Sequence, residues 1–114
     1  NKSANKNELE NCHKIVKAVL GVDMNLFAPP SGSFSANTLD IAEEIGYNTI
    51  MWSLDTIDWR DKDVSLIVKR ATEKACGGDL ILMHPTKETL EALPTIIDKL
   101  LLKGLTVAKV SEVL

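Results

Sequence analysis

The clearest secondary-structure signal in the chain lies in residues 48–86, which are NTIMWSLDTIDWRDKDVSLIVKRATEKACGGDLILMHPT. Residues 48–54 are rich in β-branched and aromatic side chains, and residues 79–83 form a second apolar run, so both are typical of buried strands. Between them, residues 63–76 show helical spacing of their apolar positions, which are Val64, Val68, Ala71 and Ala75. Two buried strands joined by a helix predict a parallel crossover, because parallel neighbours need a long connection.

The same alternation of helix and strand patterns extends to both ends of the chain. Further helical patterns cover residues 7–20, 35–45 and 87–103, and further extended runs cover residues 25–28 and 105–110. Ser111 is expected to cap a short final helical turn. The sequence therefore predicts an α/β fold with about four parallel strands and four to five helices, which fits a small open sheet or half of a larger closed barrel.

Helical spacing also predicts which side chains are buried. In the helix at residues 87–103 the expected inward-facing residues are Leu90, Leu93, Ile97, Leu100 and Leu101. Cys12 and Cys76 fall on the apolar sides of helical patterns, so we expect small buried thiols. A disulfide between them is left open, because bridging depends on geometry. His13 has polar neighbours and is expected at a solvated surface position.

The composition of the chain excludes several classes of protein. The chain has 114 residues, 13 Lys and Arg against 16 Asp and Glu, and 45% hydrophobic residues. This is ordinary for a globular domain, and it excludes a disordered, collagen-like or disulfide-rich protein. Without a basic excess no nucleic-acid partner is predicted, and no apolar run is long enough for a membrane segment. The chain has no phosphate-binding glycine motif and no pair of residues with metal-ligand spacing.

Polar side chains follow two of the predicted strands, at the C-terminal strand ends where active sites lie in parallel α/β folds. Asp55 and Asp58 follow the strand at residues 48–54, and His84 directly follows the later strand. A carboxylate bound to one ring nitrogen of a histidine fixes the tautomer of the ring, which suits a general acid. The alternative is that His84 caps the helix that begins near Thr86.

Three motifs occur in the order and spacing of a known enzyme family: FAPPSG at residues 27–32, WSLDTIDW at residues 52–59 and ILMH at residues 81–84. In these motifs the chain resembles the polysaccharide deacetylases, the carbohydrate esterases of family four, which remove N- or O-acetyl groups from chitin, peptidoglycan or xylan. The resemblance implies a distorted (β/α) barrel, of which residues 1–114 are a single partial domain, the C-terminal portion. It also implies a divalent metal, zinc or similar, whose ligands lie with the catalytic-base aspartate in the N-terminal half of the family's domain.

The same resemblance implies roles for individual residues. His84 corresponds to the general acid that protonates the leaving amine, and Asp58 corresponds to the aspartate that orients this histidine. The residues assigned to the substrate-binding side of the site are Leu82, Trp59, Pro29, Pro30 and Asp55. Ala28 departs from the family pattern, because it stands where the family usually has an arginine that steadies the base. The form FAPPSGSF is similar to that of sporulation-associated members.

The leading hypothesis is a fragment of a metal-dependent polysaccharide deacetylase, inactive by itself, whose parent acts on an acetylated polysaccharide outside the cytoplasm or in the cell envelope. A second hypothesis, motivated by Ala28, is a non-catalytic glycan-binding or envelope protein of the same fold. A third is a small flavodoxin-like binding domain, which the absence of a phosphate loop disfavours. Half a barrel exposes strand edges and apolar surface, so we expect the chain to self-associate or to pair with the N-terminal half.

Overall fold

The structure is a computed structural model that describes residues 2–29, 32 and 34–114. Its elements, in chain order, are α1 (Lys2–Leu20), β1 (Leu26–Phe27), α2 (Ala36–Glu44), β2 (Asn48–Thr49), β3 (Leu54–Asp55), α3 (Val64–Thr72), β4 (Ile81–Leu82), α4 (Lys87–Leu102) and α5 (Val110–Val113). Strand pairing is parallel in both small sheets, with β1 beside β2 and β3 beside β4. Parallel strands separated by helices confirm the predicted α/β class.

The strands are shorter than the sequence pattern predicts, since each has two residues. The run at residues 48–54 contains β2 and the first residue of β3, because residues 48 and 49 pair with β1 and Leu54 pairs with β4. The prediction of a strand at residues 105–110 is wrong, because the structure, which describes all of these residues, shows no strand there. The Leu105 N–H donates instead to the Leu100 carbonyl at 3.0 Å and ends α4 in a Schellman motif. Ser111 lies inside α5 and does not cap it.

Two compact units divide the chain, Asn1–Met51 and Trp52–Leu114. The first contains α1, β1, α2 and β2. In it, His13 is half-buried, and its Nδ1 atom lies 2.6 Å from the Tyr47 hydroxyl while its Nε2 atom lies 3.3 Å from the Asp23 carboxylate. The expectation that His13 is solvated is therefore wrong, because the buried Tyr47 before β2 provides its ring with a partner.

The core of the second unit lies between α3 and α4. Its buried residues are Ile67, Val68, Ala71, Ala75, Ala92, Ile96 and Leu100. Lys103 follows α4, and its ammonium group donates to the carbonyls of Thr72 and Ala75 at 2.8 Å and of Glu73 at 3.3 Å. These carbonyls lie at the C-terminal end of α3, where carbonyl groups lack helical partners and favour a cation. Lys103 thus links the ends of the two helices.

Helix α4 is apolar on two adjacent faces, and the buried face is not the predicted one. Of the residues expected to point inward, Leu100 is buried, whereas Leu90 and Leu101 are 72% and 53% exposed and Leu93 and Ile97 are also exposed. The face that packs against α3 is offset by one residue and is formed by Ala92, Ile96 and Leu100.

The prediction of buried thiols is also wrong. Cys12 and Cys76 are both free and exposed. Cys12 lies on α1, where no described residue is buried. Cys76 follows the end of α3 and so lies beyond the face of that helix that packs in the core. In the described ranges, none of the helices has both the length and the apolar character needed to cross a membrane.

Candidate active site

The candidate site forms where β3 and β4 end side by side. The register of these strands places Asp55 opposite Leu82. Because the strands run parallel, the loops that follow them lie at the same end of the small sheet. Asp58 lies in the first of these loops and His84 in the second.

Asp58 and His84 are joined by two hydrogen bonds. The Nδ1 atom of His84 lies 2.7 Å from Oδ1 of Asp58, and the backbone N–H of His84 donates to Oδ2 at 2.5 Å. The Asp58 side chain is completely buried, whereas that of His84 is 44% exposed. The carboxylate is thus fixed inside the protein while the imidazole reaches the surface. The N-cap of α4 is Thr86, so His84 does not have the capping role considered as its alternative.

The hydrogen bonds around Asp58 keep it ionised. Burial raises the pKa of this carboxyl, but hydrogen bonds from the backbone N–H of His84, the Thr89 hydroxyl and the His84 ring outweigh burial and hold the pKa below the ordinary value of 3.8. A carboxylate only accepts hydrogen bonds, so Nδ1 of His84 carries the proton that the two groups share. The Nε2 atom is then the one that can take up or release a proton, and it has no hydrogen-bond partner in the part of the chain that the structure describes.

The loop that carries Asp58 has an unusual backbone. Ile57 has a φ of 53°, a left-handed conformation that a β-branched residue rarely adopts. Two contacts hold this turn in place. Asp55 Oδ1 accepts the N–H of Ile57 at 2.9 Å, and the hydroxyl of Thr56 donates to the Leu82 carbonyl at 2.9 Å. The strain is therefore balanced by bonds that fix the residue just before Asp58.

Arg70 connects α3 to the same loop. Its Nη1 atom donates to the Thr56 carbonyl at 3.1 Å and to Oδ2 of Asp61 at 2.7 Å. Hydrogen bonds from Arg60 and then from Arg70 lower the pKa of Asp61 to about 2. Contacts on both sides of Asp58 thus tie the loop to the helix that follows it.

The other predicted site residues differ in exposure and in position. Trp59 is 58% exposed and Leu82 is half-buried. Asp55 lines a cleft of about 350 Å³ beside β3 and α3, and the histidine–aspartate pair does not line this cleft. Pro29 is fully buried within the first compact unit, and Pro30 lies outside the described residues. The structure brings together the two predicted catalytic residues, and the substrate-side assignments stay predictions.

The described residues contain no group of three or more His, Cys, Asp or Glu side chains that could hold a metal ion. Both oxygens of Asp58 already accept hydrogen bonds from His84 or Thr89. These residues therefore do not fit a metal centre. The chemistry that the arrangement supports is the transfer of a proton at Nε2 of His84.

Two residues of the site were not found from the sequence. Thr89 and Arg70 both lie in helices, and no pattern in the sequence assigned either of them a role in the site. Thr86 and Thr89 form a capping pattern at the start of α4, since the Thr86 hydroxyl accepts the Thr89 N–H at 3.1 Å. This pattern predicts where a helix begins and contains no signal for a contact with Asp58.

The sequence is similar to those of known proteins. Residues 1–50 match the family model described as polysaccharide deacetylase. Uncharacterized protein YlxY of Bacillus subtilis is 38% identical over 107 residues, which cover 94% of this chain and 34% of that protein. A peptidoglycan-N-acetylglucosamine deacetylase of Bacillus cereus is 35% identical over 95 residues, which cover 78% of this chain and 45% of that protein.

The fold is likewise similar to solved structures. The crystal structure of BA3943, a CE4 family pseudoenzyme from Bacillus anthracis, matches with a TM-score of 0.94 and 35% sequence identity and covers 99% of this chain and 40% of that one. A mutant of the same protein with restored enzymatic activity matches with the same TM-score of 0.94. The chain spans less than half the length of each of these relatives.

Proposed function

Because this chain belongs to the polysaccharide deacetylase family, we propose that it is part of a metal-dependent deacetylase that hydrolyses N-acetyl or O-acetyl groups of peptidoglycan or chitin-like glycans. In this proposal residues 1–114 are the C-terminal portion of one deacetylase domain and are inactive without the remainder. The observation that carries the proposal is the buried Asp58 carboxylate bound to Nδ1 of a half-exposed His84.

The proposed role of His84 is that of a general acid. Hydrolysis of an amide needs a proton donor, because an amine does not leave as an anion. When Nε2 is protonated, the ring carries a positive charge that the buried carboxylate of Asp58 stabilises at 2.7 Å. His84 then gives its Nε2 proton to the leaving amine, while Asp58 holds the ring in place through Nδ1.

The proposed metal is a divalent ion, zinc or similar, that binds in a part of the family's domain outside residues 1–114. When bound in the intact domain, such an ion would polarise the acetyl carbonyl and activate water. No group of ligands for it is found in the described ranges. The proposal therefore assigns the metal ligands and the catalytic base to the N-terminal half of the family's domain.

The proposed glycan contacts involve residues near the histidine–aspartate pair, and the two prolines of the family motif are assigned only to the shape of the groove. Trp59 is 58% exposed, and an exposed indole offers an apolar face to a sugar ring. Leu82 is assigned to the wall of the acetyl pocket, Asp55 to substrate binding, and Pro29 and Pro30 to the substrate groove. The parent protein is proposed to act at the cell envelope, because one of its relatives is a peptidoglycan-N-acetylglucosamine deacetylase.

A second candidate function is glycan binding without catalysis. Two points favour it: by the resemblance, Ala28 stands where the family usually has an arginine, and BA3943, at 35% identity, is a pseudoenzyme. Without the guanidinium the base aspartate of the family's site loses a group that steadies it. The intact protein would then bind saccharide and release no acetate.

The test of the proposed function is acetate release by the intact protein from N-acetylchitooligosaccharides and from peptidoglycan. We expect release in the presence of Zn²⁺, loss of activity after treatment with EDTA, and recovery when Zn²⁺ is added back. A fully deacetylated chitooligosaccharide serves as the control substrate. Glycan binding with no acetate release under any divalent metal would exclude the deacetylase and favour the second candidate.

Helix α4 has an exposed apolar face, and we propose a binding partner for it. This face is formed by Leu90, Leu93, Ile97 and Leu101, which lie on one side of the helix and form a continuous apolar stripe. Exposed apolar stripes of this kind mark contact surfaces. We assign this stripe to contact with the N-terminal half of the family's domain, and to self-association when that half is absent.

We expect the 114-residue chain by itself to form dimers or larger species, which light scattering during size-exclusion chromatography measures. The double variant Leu93→Lys, Leu101→Lys should weaken this association about tenfold or more, since each lysine places a charge in the apolar contact. Leu102→Lys is the matched control, because Leu102 is 87% exposed and lies off the stripe. A chain that stays monomeric at high concentration would contradict this expectation.

A further inference from the structure

Thr89 is the second residue whose side chain contacts the buried carboxylate of Asp58. We propose that Thr89 is a positioning residue, whose hydroxyl holds Asp58 in the orientation that keeps the ring proton of His84 on Nδ1. The consequence for turnover rests on the proposed function, whereas the consequence for the tautomer of the ring does not depend on it.

The contacts of Asp58 explain how one hydroxyl fixes the ring. Oδ2 accepts two hydrogen bonds, from the Thr89 hydroxyl at 2.6 Å and from the His84 backbone N–H at 2.5 Å. Oδ1 is left to face Nδ1 of the ring at 2.7 Å. The carboxylate cannot rotate about its Cβ–Cγ bond without breaking both bonds to Oδ2. Rotation is therefore opposed, and Oδ1 stays in line with the imidazole.

The direction of the Thr89 proton is set by the start of α4. Thr86, the N-cap, accepts the Thr89 N–H at 3.1 Å and donates its own hydroxyl proton to Thr89 Oγ1 at 2.9 Å. Since Thr89 Oγ1 already accepts that proton, its single proton is free to go to Asp58. A directed chain of hydrogen bonds thus runs from the N-terminus of α4 to the carboxylate.

Burial strengthens the hydrogen bonds that connect Thr86, Thr89 and Asp58. Thr89 is 4% exposed and Asp58 is completely buried, so water does not compete for these bonds. A purely structural role for Thr89 would depend on its methyl group filling space. The two roles separate cleanly, because valine keeps the shape of threonine and lacks the hydroxyl, whereas serine keeps the hydroxyl and lacks the methyl group.

The experiment compares Thr89→Val and Thr89→Ser in the intact protein. The first readout is the pair of ring ¹⁵N chemical shifts of His84, which report the tautomer, and the second is kcat and KM for acetate release. We expect Thr89→Val to weaken the preference for the Nδ1-protonated tautomer and to lower kcat about tenfold with KM little changed, and Thr89→Ser to retain both properties. Thr95→Val is the matched control, because Thr95 is an exposed threonine on the same helix.

The outcomes distinguish the proposal from its premise. Thr89→Val with an unchanged tautomer would overturn the positioning role, whatever the turnover. If Thr89→Ser weakens the preference for the Nδ1-protonated tautomer as well, the effect comes from the methyl group. That result would also overturn the positioning role. If the wild-type protein releases no acetate, the proposed function fails and the tautomer still decides the role of Thr89. If Thr89→Val does not fold, Thr89→Ala replaces it, since alanine and serine differ by the hydroxyl alone.

Discussion

We expect His84→Ala to lower kcat for acetate release by the intact protein about 10²–10⁴-fold, the usual contribution of a general acid. Alanine has no group that can hold a proton where Nε2 stands. The fold should change little, because the His84 side chain is 44% exposed and Asp58 keeps the hydrogen bonds from Thr89 and from the backbone N–H of residue 84. The measurement is kcat, with urea unfolding to compare stability.

The matched control for this change is His13→Ala, which removes the other of the chain's two histidines. His13 contacts Tyr47 and Asp23 in the first compact unit and has no part in the proposed proton transfer. We expect His13→Ala to retain kcat. Added imidazole should restore part of the rate of His84→Ala, because it supplies the missing proton donor. An unchanged rate in His84→Ala would remove His84 from the mechanism.

The order of the predicted strands indicated the end of the sheet at which His84 and its carboxylate partner lie, and the resemblance to the deacetylase family selected Asp58 rather than Asp55 as that partner. Two buried runs joined by one helical crossover must lie parallel, so the residues that follow them share one end of the sheet. Asp55, Asp58 and His84 follow such runs, and Asp58 is the carboxylate that contacts His84, at 2.7 Å. Nothing in this argument requires knowledge of which side chains pack around the pair.

Other features depend on packing that periodicity does not determine. Helix α4 has apolar residues both at 92, 96 and 100 and at 93, 97 and 101, and a period of 3.6 residues cannot select one of two adjacent faces. The run after Gly104 has the composition of a strand, yet Gly104 adopts a φ of 80° and the next N–H closes the end of the helix. Thr89 was missed for a similar reason, since its capping pattern is local and its bond to Asp58 joins distant parts of the chain.

The second large effect is expected from Asp58→Asn. An amide has one acceptor oxygen and one NH2 group, whereas all three hydrogen bonds to Asp58 need an acceptor. If the amide oxygen accepts from Thr89 and from the backbone of His84, the NH2 group faces Nδ1 and drives the ring proton to Nε2. The wrong tautomer should lower kcat by on the order of 10²–10⁴-fold, and the mismatch should lower the unfolding free energy at pH 7 by about 1–3 kcal/mol.

Asp63→Ala is the control that separates the loss of kcat in Asp58→Asn from its loss of stability. Asp63 is the N-cap of α3, and its carboxylate accepts the Leu66 N–H at 3.2 Å. Loss of this cap should cost about 1 kcal/mol of stability and leave kcat unchanged. If both variants lose stability and only Asp58→Asn loses activity, the catalytic loss comes from the ring contact. Equal losses of kcat in the two variants would show that the effect of Asp58→Asn is general destabilisation.

The stability effect of Asp58→Asn should itself depend on pH, with a direction set by the pKa of Asp58. This pKa lies below the ordinary value of 3.8 in the folded protein, so the folded state favours the ionised form. The resulting stabilisation is complete above the pKa of the unfolded chain, at about 4, and is lost as the pH falls through the lower pKa of the folded protein. Asparagine does not titrate, so the difference in unfolding free energy between wild type and Asp58→Asn should be largest near pH 7 and smaller at pH 3. Urea unfolding at both pH values measures it, and a difference that grows in acid would mean that Asp58 is not held as a carboxylate.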